Sequence, residues 1–169
     1  MAKVHHLRGA EKKEAFHREA EAGIHSFAFD SSVIDVPDNG KGHVKLAGTD
    51  SCRASVQILK NGADNNLHYH PNMDLIYMVL KGRVEFYGPG DALIGSYGPN
   101  EGLLLPENSR YWFRSLGDEE AWLLQIAGYP KGKEASRRIP CEPPKAASNG
   151  GWVGLTGEEI ELQRRNNRF

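Results

Sequence analysis

From His43 to Ile126 the chain is cut into short apolar runs, with turn residues between them at intervals of about ten residues. The runs are His43 to Leu46, Ala54 to Leu59, Leu75 to Leu80, Arg83 to Tyr87, Ala92 to Tyr97, Leu103 to Leu105, Tyr111 to Ser115 and Ala121 to Ile126. Lys81-Gly82, Gly88-Pro89-Gly90-Asp91, Gly98-Pro99-Asn100, Pro106-Glu107-Asn108 and Leu116-Gly117-Asp118 separate the later ones. Gly, Pro, Asn and Asp each suit tight turns for a steric or hydrogen-bonding reason. Many short strands at even spacing predict an all-β sandwich or barrel. The 169 residues have room for one such domain with a sizeable core.

The two ends read differently. Residues 9 to 22 set Ala10, Ala15, Phe16, Ala20 and Ala22 among Glu and Lys, and Gly23 is a stop signal. This predicts a short surface helix packed through Phe16, against the barrel or a second subunit. His5, His6, His17 and His25 have no ligand spacing and read as solvated. After Gly128 the strand pattern stops. Residues 131 to 147 carry Pro140, Pro143 and Pro144 among charges and read as an extended tail lying on the barrel or on a neighbouring subunit. Trp152 and Val153 are expected to anchor it. Thr156 and Glu159 resemble a capping box, which predicts a short helix over 157 to 164. The expected divisions are an N-terminal helical extension (1–25), a barrel domain (26–128) and the C-terminal tail (129–169).

A formal charge of -1 gives no reason to expect a nucleic-acid or membrane partner. No stretch approaches the roughly 20 apolar residues of a membrane span. Charges run through the N-terminus with no apolar core, unlike a secretory signal. Cys52 and Cys141 are far apart and have no CxxC partner, which fits two free thiols in a cytoplasmic protein.

His68 and His70 stand two apart, and residues two apart in a strand share a face. Imidazoles about 7 Å apart along that face can close on one metal ion. A straight strand would carry Asp74 about 14 Å beyond His70. A turn at Pro71-Asn72 could fold it back, giving two His and a carboxylate. That set suits iron, with manganese, zinc and nickel as other divalent candidates.

With the strands placed, the chain resembles the cupin superfamily of small double-stranded β-helix (jelly-roll) barrels. The first cupin motif is Gly, five residues, His-x-His, three or four residues, Glu, six residues, Gly. Here Gly62, His68-Tyr69-His70, Asp74 and Gly82 match it, with Asp for Glu and one residue of extra spacing. At the positions of the second motif stand Asn100, Pro106, Asn108, Tyr111 and Ser115. Asn replaces Gly where the backbone needs positive φ. The motifs cover residues 62 to 115, and the strand pattern extends the likeness to about 43–127.

The resemblance implies a metal held by His68, His70 and Asp74, with Tyr111 where metal-binding cupins supply a third His. Three roles are open to Tyr111: a phenolate ligand, a hydrogen-bond donor to substrate, or the mark of a decayed metal site. Strand parity offers Gln57, Met78, Phe113 and Gln125 as substrate-binding residues. The leading expectation is a metal-dependent enzyme acting on a small organic molecule inside the barrel, with His68, Asp74 and Tyr111 in the chemistry. Dioxygenase, isomerase, decarboxylase, lyase, dehydratase and polyketide cyclase all belong to the class. The alternatives are metal-free acid/base catalysis by a His with Tyr111, and a non-enzymatic binder of a small ligand. The resemblance also implies a homodimer.

Overall fold

A computed structural model describes residues 2–130, 138–143, 145 and 152–156. The chain opens with helix α1 (Ala2–Glu21), which starts near the N-terminus rather than at residue 9. Its Ala, Glu and Lys content favours helix locally, and Arg18 pairs with Glu14 one turn away at 3.2 Å. Every described side chain of α1 is exposed, and Phe16 is 67% exposed. Within the chain, Phe16 packs against neither core cluster.

The β-strands follow in order: β1 (Lys41–Gly48), β2 (Cys52–Leu59), β3 (His68–Tyr69), β4 (Asp74–Lys81), β5 (Val84–Tyr87), β6 (Leu93–Tyr97), β7 (Gly102–Leu105), β8 (Trp112–Ser115) and β9 (Ala121–Gly128). Two further strands come from the tail, β10 (Ile139–Pro140) and β11 (Trp152–Thr156). One sheet has the order β11-β1-β2-β9-β4-β7, a second the order β6-β5-β8, and β10 pairs with β3. Turns fall where the sequence places them. Asn39, Asn61, Asn72, Asn100 and Asn108 hold positive φ, as do Gly62, Gly82 and Gly117. The architecture is the jelly-roll expected.

One apolar core lies between the two sheets. The large sheet contributes Leu59, Leu75, Tyr77, Val79, Leu105, Leu123 and Ala127, and the small sheet Val84, Phe86 and Phe113. A second cluster, Ile34, Val36, Val44 and Ile58 with Phe29 and Trp122 against it, seats the arm after α1 on the outer face of β1 and β2. The fit is close at Gly42, where a Cβ would lie 2.6 Å from Val36 Cγ2. The outer face of β4 and β7 carries exposed apolar residues instead, among them Ile76, Met78 and Leu104.

The tail is more than an appendage. Strand β11 pairs in parallel with β1, from Lys41↔Trp152 to Lys45↔Thr156. Thr156 thus ends a strand. The helix expected over 157–164 lies outside the described residues. Strand β10 pairs antiparallel with β3, setting Ile139 opposite Tyr69 and Pro140 opposite His68. Proline is tolerated in so short a pairing because few ladder bonds depend on its missing N–H. Cys52 and Cys141 are free and exposed. No helix among the described residues is long and apolar enough to cross a membrane.

Gly102 marks the tightest strand contact. A Cβ there would sit 1.9 Å from the backbone oxygen of Tyr77, which no side-chain rotation relieves. Gly102→Ala is expected to destabilise the fold by about 1–3 kcal/mol, read as a lowered urea midpoint at unchanged m-value.

Candidate functional site

His68 is held from both sides by backbone. Its N–H donates to the Tyr111 carbonyl at 3.1 Å, and the Tyr111 N–H donates back to the His68 carbonyl at 3.0 Å. This bridge fixes the His68 and Tyr111 rings 4.4 Å apart. The His70 ring is 5.2 Å from His68, nearly perpendicular to it at 83°. His68 Nδ1 lies 2.8 Å from the Asn66 carbonyl oxygen. A carbonyl only accepts, so Nδ1 carries the proton and Nε2 keeps its lone pair. Burial, and then the charge of Arg138, lower the His68 pKa to about 3, so the ring is neutral at physiological pH.

Behind the histidines runs a line of neutral polar groups. The hydroxyls of Tyr111 and Tyr77 lie 3.0 Å apart. The Tyr77 hydroxyl also bonds the Gln57 side chain, and Gln57 Nε2 donates to Gln125 Oε1 at 2.9 Å. Burial pushes the Tyr77 hydroxyl up to about 12 and the Tyr111 hydroxyl well above its ordinary value. Both are phenols at neutral pH. Phe86 and Phe113 pack around them and keep water away, with Phe113 5.7 Å from Tyr77 between ring centroids.

These groups border a cavity of about 440 Å³. His68, His70, Tyr77, Gln57 and Gln125 line its wall, and His43 and Asn65 complete it. Lys41 and Arg138 also line it. Arg138 arrives on the tail: the Cys141 N–H donates to the Leu67 carbonyl at 2.8 Å and the Leu67 N–H donates to Glu142 Oε1 at 2.9 Å. Arg138 Nη2 donates to both the carbonyl oxygen and the side-chain oxygen of Asn66.

The structure brings together His68, His70, Gln57 and Gln125 from the residues singled out in the sequence. Tyr111 lies one layer back and reaches the cavity through Tyr77. Phe113 is buried in the aromatic core. Asp74 and Met78 require correction. Along β4 exposure alternates, so that Leu75, Tyr77 and Val79 face in while Asp74, Ile76 and Met78 face out. Asp74 Oδ1 accepts the Glu107 N–H at 2.9 Å on the outside. The turn forms, with Asn72 at φ 56°, but the residue it swings inward is Leu75. With four residues between it and His70, Leu75 occupies the longer spacing of the cupin carboxylate.

The donor set therefore does not fit an ion held by two His and a carboxylate. Among the described residues no three His, Cys, Asp or Glu side chains converge as ligands. The Tyr111 hydroxyl bonds that of Tyr77, and the charges lining the cavity among the described residues, Lys41 and Arg138, are cations. Sequence reasoning missed Tyr77, Lys41, His43, Asn65 and Arg138. Parity could have found Tyr77, once β4 was anchored by Leu75 rather than Asp74.

Comparison with known proteins adds a context for this geometry. No family model matches the chain. A protein described as polyketide synthase CurC, from Streptomyces cyaneus, is 32% identical over 112 residues, which is 66% of this chain and 71% of that protein. The structure of KdgF from Halomonas sp. aligns with a TM-score of 0.53 at 20% identity, over 64% of this chain and 97% of that one. An RmlC-like cupin protein from Desulfovibrio desulfuricans aligns at 0.52 and 23% identity, over 61% and 97%. At these identities the structural likeness speaks for the fold.

The neutral state of His68 has a thermodynamic signature. Its pKa is about 3 when folded, against 6.5 for an imidazole free in water. Between those values the unfolded chain binds more protons, so stability falls as pH drops from 6.5 towards 3, while this group has no such effect above 6.5. The unfolding free energy of the wild type is expected to fall more steeply over that window than that of His68→Gln, by up to about 1.4 kcal/mol per pH unit. Urea titrations at a series of pH values measure both slopes; equal slopes contradict a buried neutral imidazole.

Proposed function

The chain belongs to the cupin superfamily, and on that premise we propose that its barrel is an acid/base site which removes a proton from an activated carbon of a small polyketide-like substrate. The observation that carries this reading is His68: a buried neutral imidazole with its Nε2 lone pair available, in a cavity walled by Tyr77 and two glutamines. Depressed basicity makes His68 a weak base, so it suits only an acidic C–H. A methylene between two carbonyls, the repeating unit of a poly-β-ketone, is such a group. The likeness to a protein described as a polyketide synthase supports the same substrate class.

The chain's own groups divide the work. His68 accepts the proton at Nε2. As the C–H bond breaks, negative charge moves to the substrate oxygen. Tyr77 stays protonated and can donate its O–H there, and the Gln57 and Gln125 amides lie beside it. Tyr111 holds the Tyr77 hydroxyl in place from behind. Because these groups are fixed by the core, they need no reorganisation when charge develops. The enolate so formed can attack a second carbonyl of the same chain, the resulting alkoxide taking the proton from His68, or take that proton back at carbon.

Solvent exchange tests the proton-transfer step without the natural substrate. In D₂O, at a pH where uncatalysed exchange is slow, the protein should accelerate loss of the central C–H signal of benzoylacetone in NMR. His68→Gln should lose about 10²–10⁴-fold of that acceleration, Tyr77→Phe should lose part of it, and chelator-treated protein should retain it. No acceleration by the wild type, or its abolition by chelator, overturns the reading.

A further inference from the structure

The cavity holds a charge imbalance that proton abstraction does not use. Among the described residues the cations Lys41 and Arg138 line it, and no Asp or Glu does. The chain as a whole is at formal charge -1, so this is a local arrangement rather than a basic background. Neither cation has a carboxylate within salt-bridge distance among the described residues. The recorded bridges belong to Arg18, Arg114 and Lys145. Both instead bond neutral oxygens of one short segment: Lys41 Nζ donates to the Asp64 carbonyl, and Arg138 Nη2 donates to Asn66. Burial lowers the Lys41 pKa, the charge of Asp64 opposes that, and the charge of Arg138 lowers it further.

The two groups come from opposite ends of the chain. Lys41 begins β1, and Arg138 immediately precedes β10. The β10–β3 pairing and the bonds from residues 66 and 67 to Glu142 fix where Arg138 sits. Among the described residues only Nη2 of this guanidinium is engaged, and its other N–H groups remain to donate to a ligand. A planar fork with an ammonium nearby matches a carboxylate, the group that would neutralise both. Beside them the cavity offers imidazole and phenol rings and side-chain amides, surfaces that suit a flat, oxygen-bearing body.

We infer that Lys41 and Arg138 form a carboxylate clamp at the cavity, and that the ligand is an organic acid with a planar, hydroxylated or keto-bearing body. This deepens the acid/base reading by naming the substrate's charged end, and it rests on that reading's assignment of the cavity as the substrate site. It makes the tail strand a determinant of specificity, because Arg138 reaches the cavity through the β10–β3 pairing.

Calorimetric titration with 2,4-dihydroxybenzoate and with its uncharged amide tests the clamp. The wild type should bind the acid about 10- to 100-fold more tightly than the amide, the range of a charge-assisted hydrogen bond. Arg138→Gln and Lys41→Met should each reduce that ratio, and the double variant should bring it to about one. Arg138→Lys should keep a preference for the acid, which separates loss of charge from loss of fold. Equal binding of acid and amide by the wild type, no binding of either, or a ratio unchanged in the double variant overturns the clamp. Charge-selective binding without benzoylacetone exchange would sink the acid/base reading and leave the clamp standing. Exchange without charge selectivity would do the reverse.

Discussion

The pleat of β4 decides what this barrel can do. A strand offers alternate side chains to opposite faces, and here the inner set is Leu75, Tyr77 and Val79. That parity puts an apolar residue where a metal-binding relative would present a carboxylate, and a phenol next to the imidazoles. Shifting the strand by one residue would exchange the whole set. The register is held against both neighbours: Tyr77 stands opposite Gln125 on β9 and Leu103 on β7. The pairing that fixes the core thus also fixes the polar groups of the site.

The core and the site share a wall. Tyr77 and Tyr111 belong to the apolar cluster by burial and to the cavity wall by their hydroxyls. A buried hydroxyl without a partner is costly, and the two phenols meet that need by bonding each other. The line then continues to Gln57 on β2, whose amide donates to Gln125 on β9. Rigid packing lies on one side of the phenols and paired amides on the other.

Much of the fold was legible because turns are a local property. Asn100 and Asn108 read as positive-φ positions, and they hold φ 68° and 65°. Gly62, Gly82 and the strands between the turns fall close to their expected places. Strand parity was less legible. From Leu75 to Leu80 every residue is apolar, so no alternation announces which face is inside, and the outer face keeps Ile76 and Met78 exposed. The contribution of Arg138 could not be read at all: it depends on pairing residues 139 and 140 with 68 and 69, across a sequence distance that carries no local signal. Gln57 and Gln125 were legible for a general reason, since an amide among apolar strand residues needs a partner.

The tail pairings bear on when the site comes into being during synthesis. By the time β9 has left the ribosome, the strands that enclose the main core are all present. The edge of the large sheet next to β1 is still open at that stage, and the guanidinium is still missing from the cavity. Both are supplied by residues after 137, through β10 and the parallel partner β11. A nascent barrel at that stage has a bare sheet edge and a cavity without Arg138. Emergence of residues 138–156 covers the edge and completes the cavity wall, so a product truncated after β9 would be prone to pair through its exposed β1 edge.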